Sequence, residues 1–335
     1  MPALLIFTAS VATAALLTPL ARWLSFRWGV VAVPGGRRLH PGPMPKLGGL
    51  PIYGAFWVGV GLTYWLRPPQ GEDAHLLTGI LLGSLVAFGG GLLDDFREQP
   101  AWSQFAVQFL CTAVAVHYQV FLEVFTNPLP NGDEVRIWPW LVPLITLFWI
   151  SGMMNTINWL DGLDGLAAGV GTIAALIFAW HSYNLGQTSI ALIALALAGA
   201  LMGFLPFNFW PARIFLGSAG PYFLGYALAT LAIIAPAKIA TALLVMAVPI
   251  MDVAWQIIDR LRRGQSPFRG DRGHLHFRLS DGGLPTRPIV LSYYALALAF
   301  GLVAIFAPGL WKLILLVVLG AAVFSLLIWL KKREL

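Results

Sequence analysis

Two acids stand side by side at Asp94-Asp95, directly after Gly89-Gly90-Gly91 and two leucines, at the end of an apolar run. Adjacent carboxylates at a membrane boundary are costly unless they are paired, solvated or bound to a metal. The glycines let a backbone or a ligand come close; a solvated helix end beside Arg97 is the plain alternative. A second group is denser. Asn155, Asn158, Asp161 and Asp164 fall within NTINWLDGLDG. Asn158, Asp161 and the turn around Asp164 recur every three residues, so they share one side of a helix end, and Asn155 can join them. Gly162 and Gly165 break that helix and open its backbone. A turn between two apolar runs does not require four Asn or Asp residues.

Three more segments carry polar chemistry. The stretch from Pro206 to Gly220 offers Arg213 for a phosphate, Phe215 as a flat face for a base, and a glycine turn beside Ser218. The stretch from Asp259 to Leu279 is crowded with arginines and holds His274 and His276. Guanidinium groups fork onto phosphate oxygens, although anchoring to anionic lipid headgroups would use the same residues. Zinc fits poorly, because neither a cysteine nor a third clustered histidine joins this pair. The stretch from Pro34 to Gly49 is basic, rich in proline and glycine, and contains Lys46.

The elements that must position these groups are apolar. The chain of 335 residues is 58% hydrophobic and 11% charged, with a mean hydropathy of +0.77. Soluble domains carry about 25% charged residues, so lipid must cover much of this surface. The single cysteine, Cys111, excludes a disulfide frame and a Cys-rich metal site. The net charge of +6 flanks apolar runs instead of forming a basic domain, which argues against nucleic acid. The first run, about Ala3 to Leu20, has no basic residue before it and no small-residue cleavage site, and reads as a retained helix.

The fold class expected is all-α: a single transmembrane domain over residues 1–335 with about eleven membrane-spanning helices. Runs of roughly 17–25 apolar residues suit such helices. They lie near 3–23, 49–66, 76–93, 104–122, 138–157, 163–182, 188–206, 219–235, 238–257, 288–307 and 311–330. Residues 123–137 suit a short hairpin. With eleven spans, 17 of the 21 lysines and arginines fall on one face, leaving Arg67, Arg136, Lys238 and Lys312. Basic residues mark the cytoplasmic side, so the N-terminus is expected outside and every polar segment above inside. Groups suited to Mg²⁺ and groups suited to a diphosphate would then converge on one membrane surface. That arrangement suits transfer from a soluble nucleotide substrate to a lipid phosphate.

These motifs, in this order, resemble the polyprenyl-phosphate N-acetylhexosamine-1-phosphate transferase family. They are RRLHPGPMPKLGG, GLLDDFRE, NTINWLDGLDGLAAG, RIFLGSAG, and VPIMD followed by SPFRGDRGHLHFRL. The last is similar to the GlcNAc-using branch, whereas the MurNAc-pentapeptide branch carries consecutive histidines there. The resemblance implies an enzyme in a bacterial cytoplasmic membrane, with its site facing the cytoplasm, that starts a cell-envelope glycan. A polyprenyl phosphate attacks a UDP-sugar, most simply UDP-GlcNAc, and UMP leaves. Mg²⁺, or Mn²⁺ in its place, is the implied cofactor, and a homodimer remains open.

By the same resemblance, Asp94 and Asp95 are catalytic, and Asn158 and Ser218 lie at the metal. Lys46, Asn155, Asp161, Asp164, Phe215, Arg272, His274, His276 and Arg278 bind substrate. Ser218 stands where the family has an aspartate, and Pro221, Ala32, Gln104 and Phe277 also depart from the pattern. A hydroxyl is a poorer Mg²⁺ ligand than a carboxylate, so weakened turnover is implied. The alternatives are a degenerate relative that binds lipid phosphate or nucleotide without efficient turnover, and a transporter. A transporter suits charge at mid-membrane, where Asp252 is the ambiguous residue.

Overall fold

The computed structural model describes residues 1–33, 42–127, 134–234, 236–266 and 272–333. Much of the first basic stretch (34–41) and the PFRGD segment from 267 to 271 lie outside these residues. In chain order come α1 (Pro2–Arg27), β1 (Val31–Ala32), β2 (Met44–Pro45), α2 (Gly49–Leu66), α3 (Gly71–Phe96) and α4 (Ala101–His117). Then follow β3 (Val124–Thr126), β4 (Glu134–Arg136), α5 (Val142–Leu160), α6 (Leu166–Asn184), α7 (Thr188–Asn208) and α8 (Ala219–Ile233). The chain closes with α9 (Pro236–Val245), α10 (Ala247–Arg262), α11 (Leu275–Asp281), α12 (Thr286–Phe306) and α13 (Gly309–Arg333). The two strand pairs are antiparallel, and β3 with β4 forms the hairpin expected between 123 and 137.

The protein is an all-helical integral membrane protein. Each apolar run became helix, but the count of eleven spans is not reproduced. Among the described residues six helices are long and apolar enough to cross a membrane: α1, α3, α6, α7, α12 and α13. A seventh arises if α9 and α10, bent by 79° at their junction, form one broken span. The physical reason is clearest at α8. Its 15 residues reach about 22 Å, short of the ~30 Å hydrocarbon core, and every one of them is buried. Protein, not lipid, surrounds it.

Small residues let the helices approach, the usual device where lipid tails remove the hydrophobic drive between helices. A Cβ at Gly199 would lie 2.6 Å from the Phe7 carbonyl oxygen, and one at Gly203 would lie 2.2 Å from that of Val11. α7 therefore packs on the backbone of α1. Likewise a Cβ at Gly225 would fall 2.5 Å from Met154 Cα, seating α8 against α5.

Candidate active site

Asp94 and Asp95 end α3, the negative end of its dipole, where carboxylates are disfavoured. The start of α8 compensates. Both oxygens of Asp95, which is 3% exposed, accept backbone N–H groups: Ser218 at 2.8 Å and Ala219 at 3.0 Å. Asp94 accepts the Ser218 hydroxyl at 2.5 Å and the Gln99 N–H at 2.7 Å. Gly217 makes the approach feasible. Its φ is +73°, and a Cβ there would sit 2.0 Å from the Lys46 carbonyl oxygen and 2.6 Å from Asp95 Oδ1. Phe215 brackets the same turn, donating its N–H to Pro45 O at 2.8 Å and accepting that of Gly48 at 3.0 Å. Lys46 donates its own N–H to Ser25 Oγ at 3.0 Å and acts electrostatically on Asp95.

The loop between α5 and α6 forms the next wall. Asp161 follows the last turn of α5, and Gly165, at φ +81°, precedes α6. Burial, then the charges of Asp164 and Asp95, hold the Asp161 carboxyl well above the usual carboxylate range. Asp164 accepts the Ala212 N–H at 2.9 Å, tying this loop to the segment that leads into Phe215. Asn158 is partly exposed one turn before the loop. Asn155 turns elsewhere: its side-chain oxygen accepts Gln108 Nε2 at 2.9 Å, a tie between α5 and α4.

The third wall comes from α10 and α11. Asp252, buried near the bend, accepts His274 Nδ1 at 2.9 Å and the Leu275 N–H at 2.9 Å. It therefore fixes the start of α11 and one nitrogen of His274. Arg278 Nε donates to Gly273 O at 2.6 Å, and the Gln256 amide reaches the same oxygen. Trp159 lies between His274, 5.7 Å away, and the Arg260 guanidinium, 5.8 Å away. Arg272 is engaged by Asp281 through two contacts of 2.5 and 3.2 Å and covers the Phe277 ring. A cavity of about 440 Å³ opens here, lined by Gln256, Arg260, Arg263, Arg272 and Arg278 with Asp259 and Asp281.

Gly162 joins the walls. A Cβ there would meet His276 Nε2 at 2.3 Å and Phe277 Cζ at 2.5 Å. His276 is buried, and neither ring nitrogen has a hydrogen-bond partner among the described residues. Burial drives its pKa down to about 3, with the neighbouring His274 and Arg272 adding to the fall and Asp252 opposing it. The ring is neutral.

One side of the site thus gathers Lys46, Asp94, Asp95, Phe215 and Ser218, and the other gathers Arg272, His274, His276 and Arg278. The loop from Asp161 to Gly165 meets the second side at His276 and is tied through Ala212 to the segment that leads into Phe215 on the first. Gln256 and Tyr222 were not singled out in the sequence. Gln256 lies four residues after Asp252, a polar stripe that the spacing does carry; Tyr222 sits in an apolar helix and reads as packing.

Residues 77–236 match the glycosyl transferase family 4 profile. A probable undecaprenyl-phosphate N-acetylglucosaminyl 1-phosphate transferase of Bacillus subtilis is 31% identical, over 89% of this chain and 83% of its own. The chain belongs to glycosyl transferase family 4. A decaprenyl-phosphate N-acetylglucosaminephosphotransferase of Mycobacterium tuberculosis is 34% identical over 84% of this chain and 78% of its own. A phospho-N-acetylmuramoyl-pentapeptide-transferase of Geobacillus kaustophilus, 29% identical, aligns over 90% and 94%. The family match covers Asp94, Asp95, the loop at Asp161 and Ser218, whereas α10 and α11 lie beyond it.

Proposed function

We propose that the protein transfers an N-acetylhexosamine-1-phosphate, most simply GlcNAc-1-phosphate, from a UDP-sugar to a polyprenyl phosphate. The observation that carries this is the position of one loop, Asp161 to Gly165, which meets His276 on one side and is hydrogen-bonded through Ala212 to the segment leading into Phe215 on the other. A carboxylate pair at the end of a membrane helix supplies a base for the proton of a lipid phosphate. A cavity lined by Arg260, Arg263, Arg272 and Arg278 suits a sugar diphosphate.

An oxygen of the lipid phosphate attacks the β-phosphorus. The bond from that phosphorus to the oxygen bridging it to UMP breaks, and UMP leaves. Asp94 orients the attacking phosphate and takes up its proton where it carries one. Asp95, with both oxygens committed to α8, positions Asp94 and Ser218. Phe215 lies against the base, with Asp164 bracing its loop. Arg278 and His274 meet the diphosphate and sugar, His276 packs beneath the loop as a neutral ring, and Arg272 joins them once released by Asp281.

Among the described residues no three His, Cys, Asp or Glu side chains form a metal cage. Mg²⁺ does not require one, since it binds through one or two carboxylates plus substrate phosphates. The charges acting on Asp161 are those of two other acids, a setting that a divalent cation would offset, and Asp161, with Asn158 and Ser218 as neutral oxygens, would hold it. Bound Mg²⁺ would offset charge on the diphosphate and on departing UMP.

The bacterial relatives support a bacterial cytoplasmic membrane. On the eleven-span topology expected from the sequence, the basic residues gather on the face that carries the site, which supports an orientation toward the cytoplasm. Labelling of single cysteines at positions 97 and 70 from the same side would contradict it. Activity is tested by incubating purified protein with UDP-GlcNAc, undecaprenyl phosphate and Mg²⁺. UMP release that requires the lipid phosphate is expected; its absence would overturn the proposal.

A further inference from the structure

A polar stripe at four-residue spacing leads from Ser218 into α8 through Tyr222, Tyr226 and Thr230. Residues four apart share a helix face, and this face meets the glycines of α3. A Cβ at Gly91 would lie 2.6 Å from Ala219 Cα, and one at Gly83 would lie 1.9 Å from the Tyr226 hydroxyl. Three of the four hydroxyls are satisfied. Ser218 donates to Asp94, Tyr226 to Gly79 O at 3.0 Å, and Thr230 to Tyr226 O at 2.8 Å. Tyr222 differs. It is 2% exposed, and its hydroxyl has no hydrogen-bond partner among the described residues.

A buried hydroxyl left without a partner costs about 1–3 kcal/mol, and phenylalanine would fill nearly the same space without that cost. Helical side chains lean toward the N-terminus of their helix, so the Tyr222 ring covers the turn that holds Ser218. Asp94 and Asp95 are close enough to act on it electrostatically, yet it donates to neither. It lies one turn, about 6 Å, farther along α8 from the Asp94–Ser218 contact.

We propose that the Tyr222 hydroxyl is a further binding group for the acceptor, donating a hydrogen bond to a non-bridging oxygen of a lipid phosphate monoester. This rests on the function proposed above. No bond is made or broken at Tyr222, and the phenol keeps its proton. Ser218 and Tyr222 then form two neutral hydroxyls one turn apart beside the carboxylate pair.

Tyr222→Phe in the full chain tests this in two ways. In the transfer assay, KM for undecaprenyl phosphate should rise roughly tenfold, as for one hydrogen bond to a charged oxygen. The turnover number and KM for UDP-GlcNAc should hardly move. Without any UDP-sugar, undecaprenyl phosphate should raise the Tm of the parent more than that of the variant, while undecaprenol raises both equally. Should the variant fail to fold, Tyr222→Met carries the same two measurements. An unchanged KM together with equal stabilisation by the lipid phosphate would overturn the proposal, leaving the hydroxyl as a packing defect. A parent without transferase activity would defeat the function above, whereas the lipid-phosphate stabilisation would still decide Tyr222.

Discussion

Gly162 and His276 lie in contact across the site: the space a methyl group would need on Gly162 is filled by the imidazole Nε2, 2.3 Å from where that Cβ would sit. The contact couples the α5–α6 loop, which carries Asp161 and Asp164, to the segment that carries His274 and Arg278.

Gly162→Ala should therefore separate the walls. Overpacking of this kind costs about 1–3 kcal/mol, and misplacement near 1 Å can cost about 10²-fold in rate. The transfer rate and the Tm of the variant check this. A variant within twofold of the parent rate would show that the contact is incidental.

Asp94→Asn and Asp95→Asn should fail differently. The first removes a base and should lower turnover by about 10²–10⁴-fold with little change in Tm. The second sets an amide group against the N–H donors of Ser218 and Ala219, a mismatch of about 1–3 kcal/mol, so Tm and activity should fall together. Tm values and transfer rates for both variants decide; matching stability losses would contradict the division of roles.

How much of this was legible follows from where the forces act. Local pattern sufficed for the helices, since each apolar run became helical, 238–257 as the bent pair α9 and α10, and for the break at Gly162 and Gly165. It did not suffice for the number of crossings, because burial by neighbours lets α8 be shorter than the membrane. The bend between α9 and α10 had a local cause in Pro249, which cannot donate to the carbonyl of Val245. Its consequence, Asp252 meeting His274 from 22 residues away, depends on tertiary placement. Tyr222 was hidden for another reason: an aromatic in an apolar helix reads as packing until its hydroxyl is found without a partner.

Under the proposed function, Ser218 would lie at the metal. Its hydroxyl donates to Asp94, and a neutral oxygen attracts Mg²⁺ less than a carboxylate does. Ser218→Asp should raise activity severalfold at low Mg²⁺ and converge with the parent at high Mg²⁺. Rates measured against Mg²⁺ concentration test this, and superimposable curves would place Ser218 away from the ion.

His276 makes stability depend on pH. Its pKa falls from 6.5 to about 3 on folding, so between those values the unfolded chain binds the proton and the folded chain does not. Stability then rises with pH across that window: it is intact above 6.5 and lost as pH falls toward 3. His276→Gln should flatten the acid side of a Tm-versus-pH curve; an unchanged slope would mean that the ring already takes up its proton in the fold.

The most direct measurement follows the β-phosphorus. UDP-GlcNAc labelled there is incubated with the protein, Mg²⁺ and undecaprenyl phosphate, and the lipid and aqueous products are separated. The expected result is label in the lipid fraction as a diphosphate-linked sugar, matched mole for mole by unlabelled UMP. Label remaining in water as UDP while the sugar alone enters the lipid would contradict transfer of a sugar phosphate.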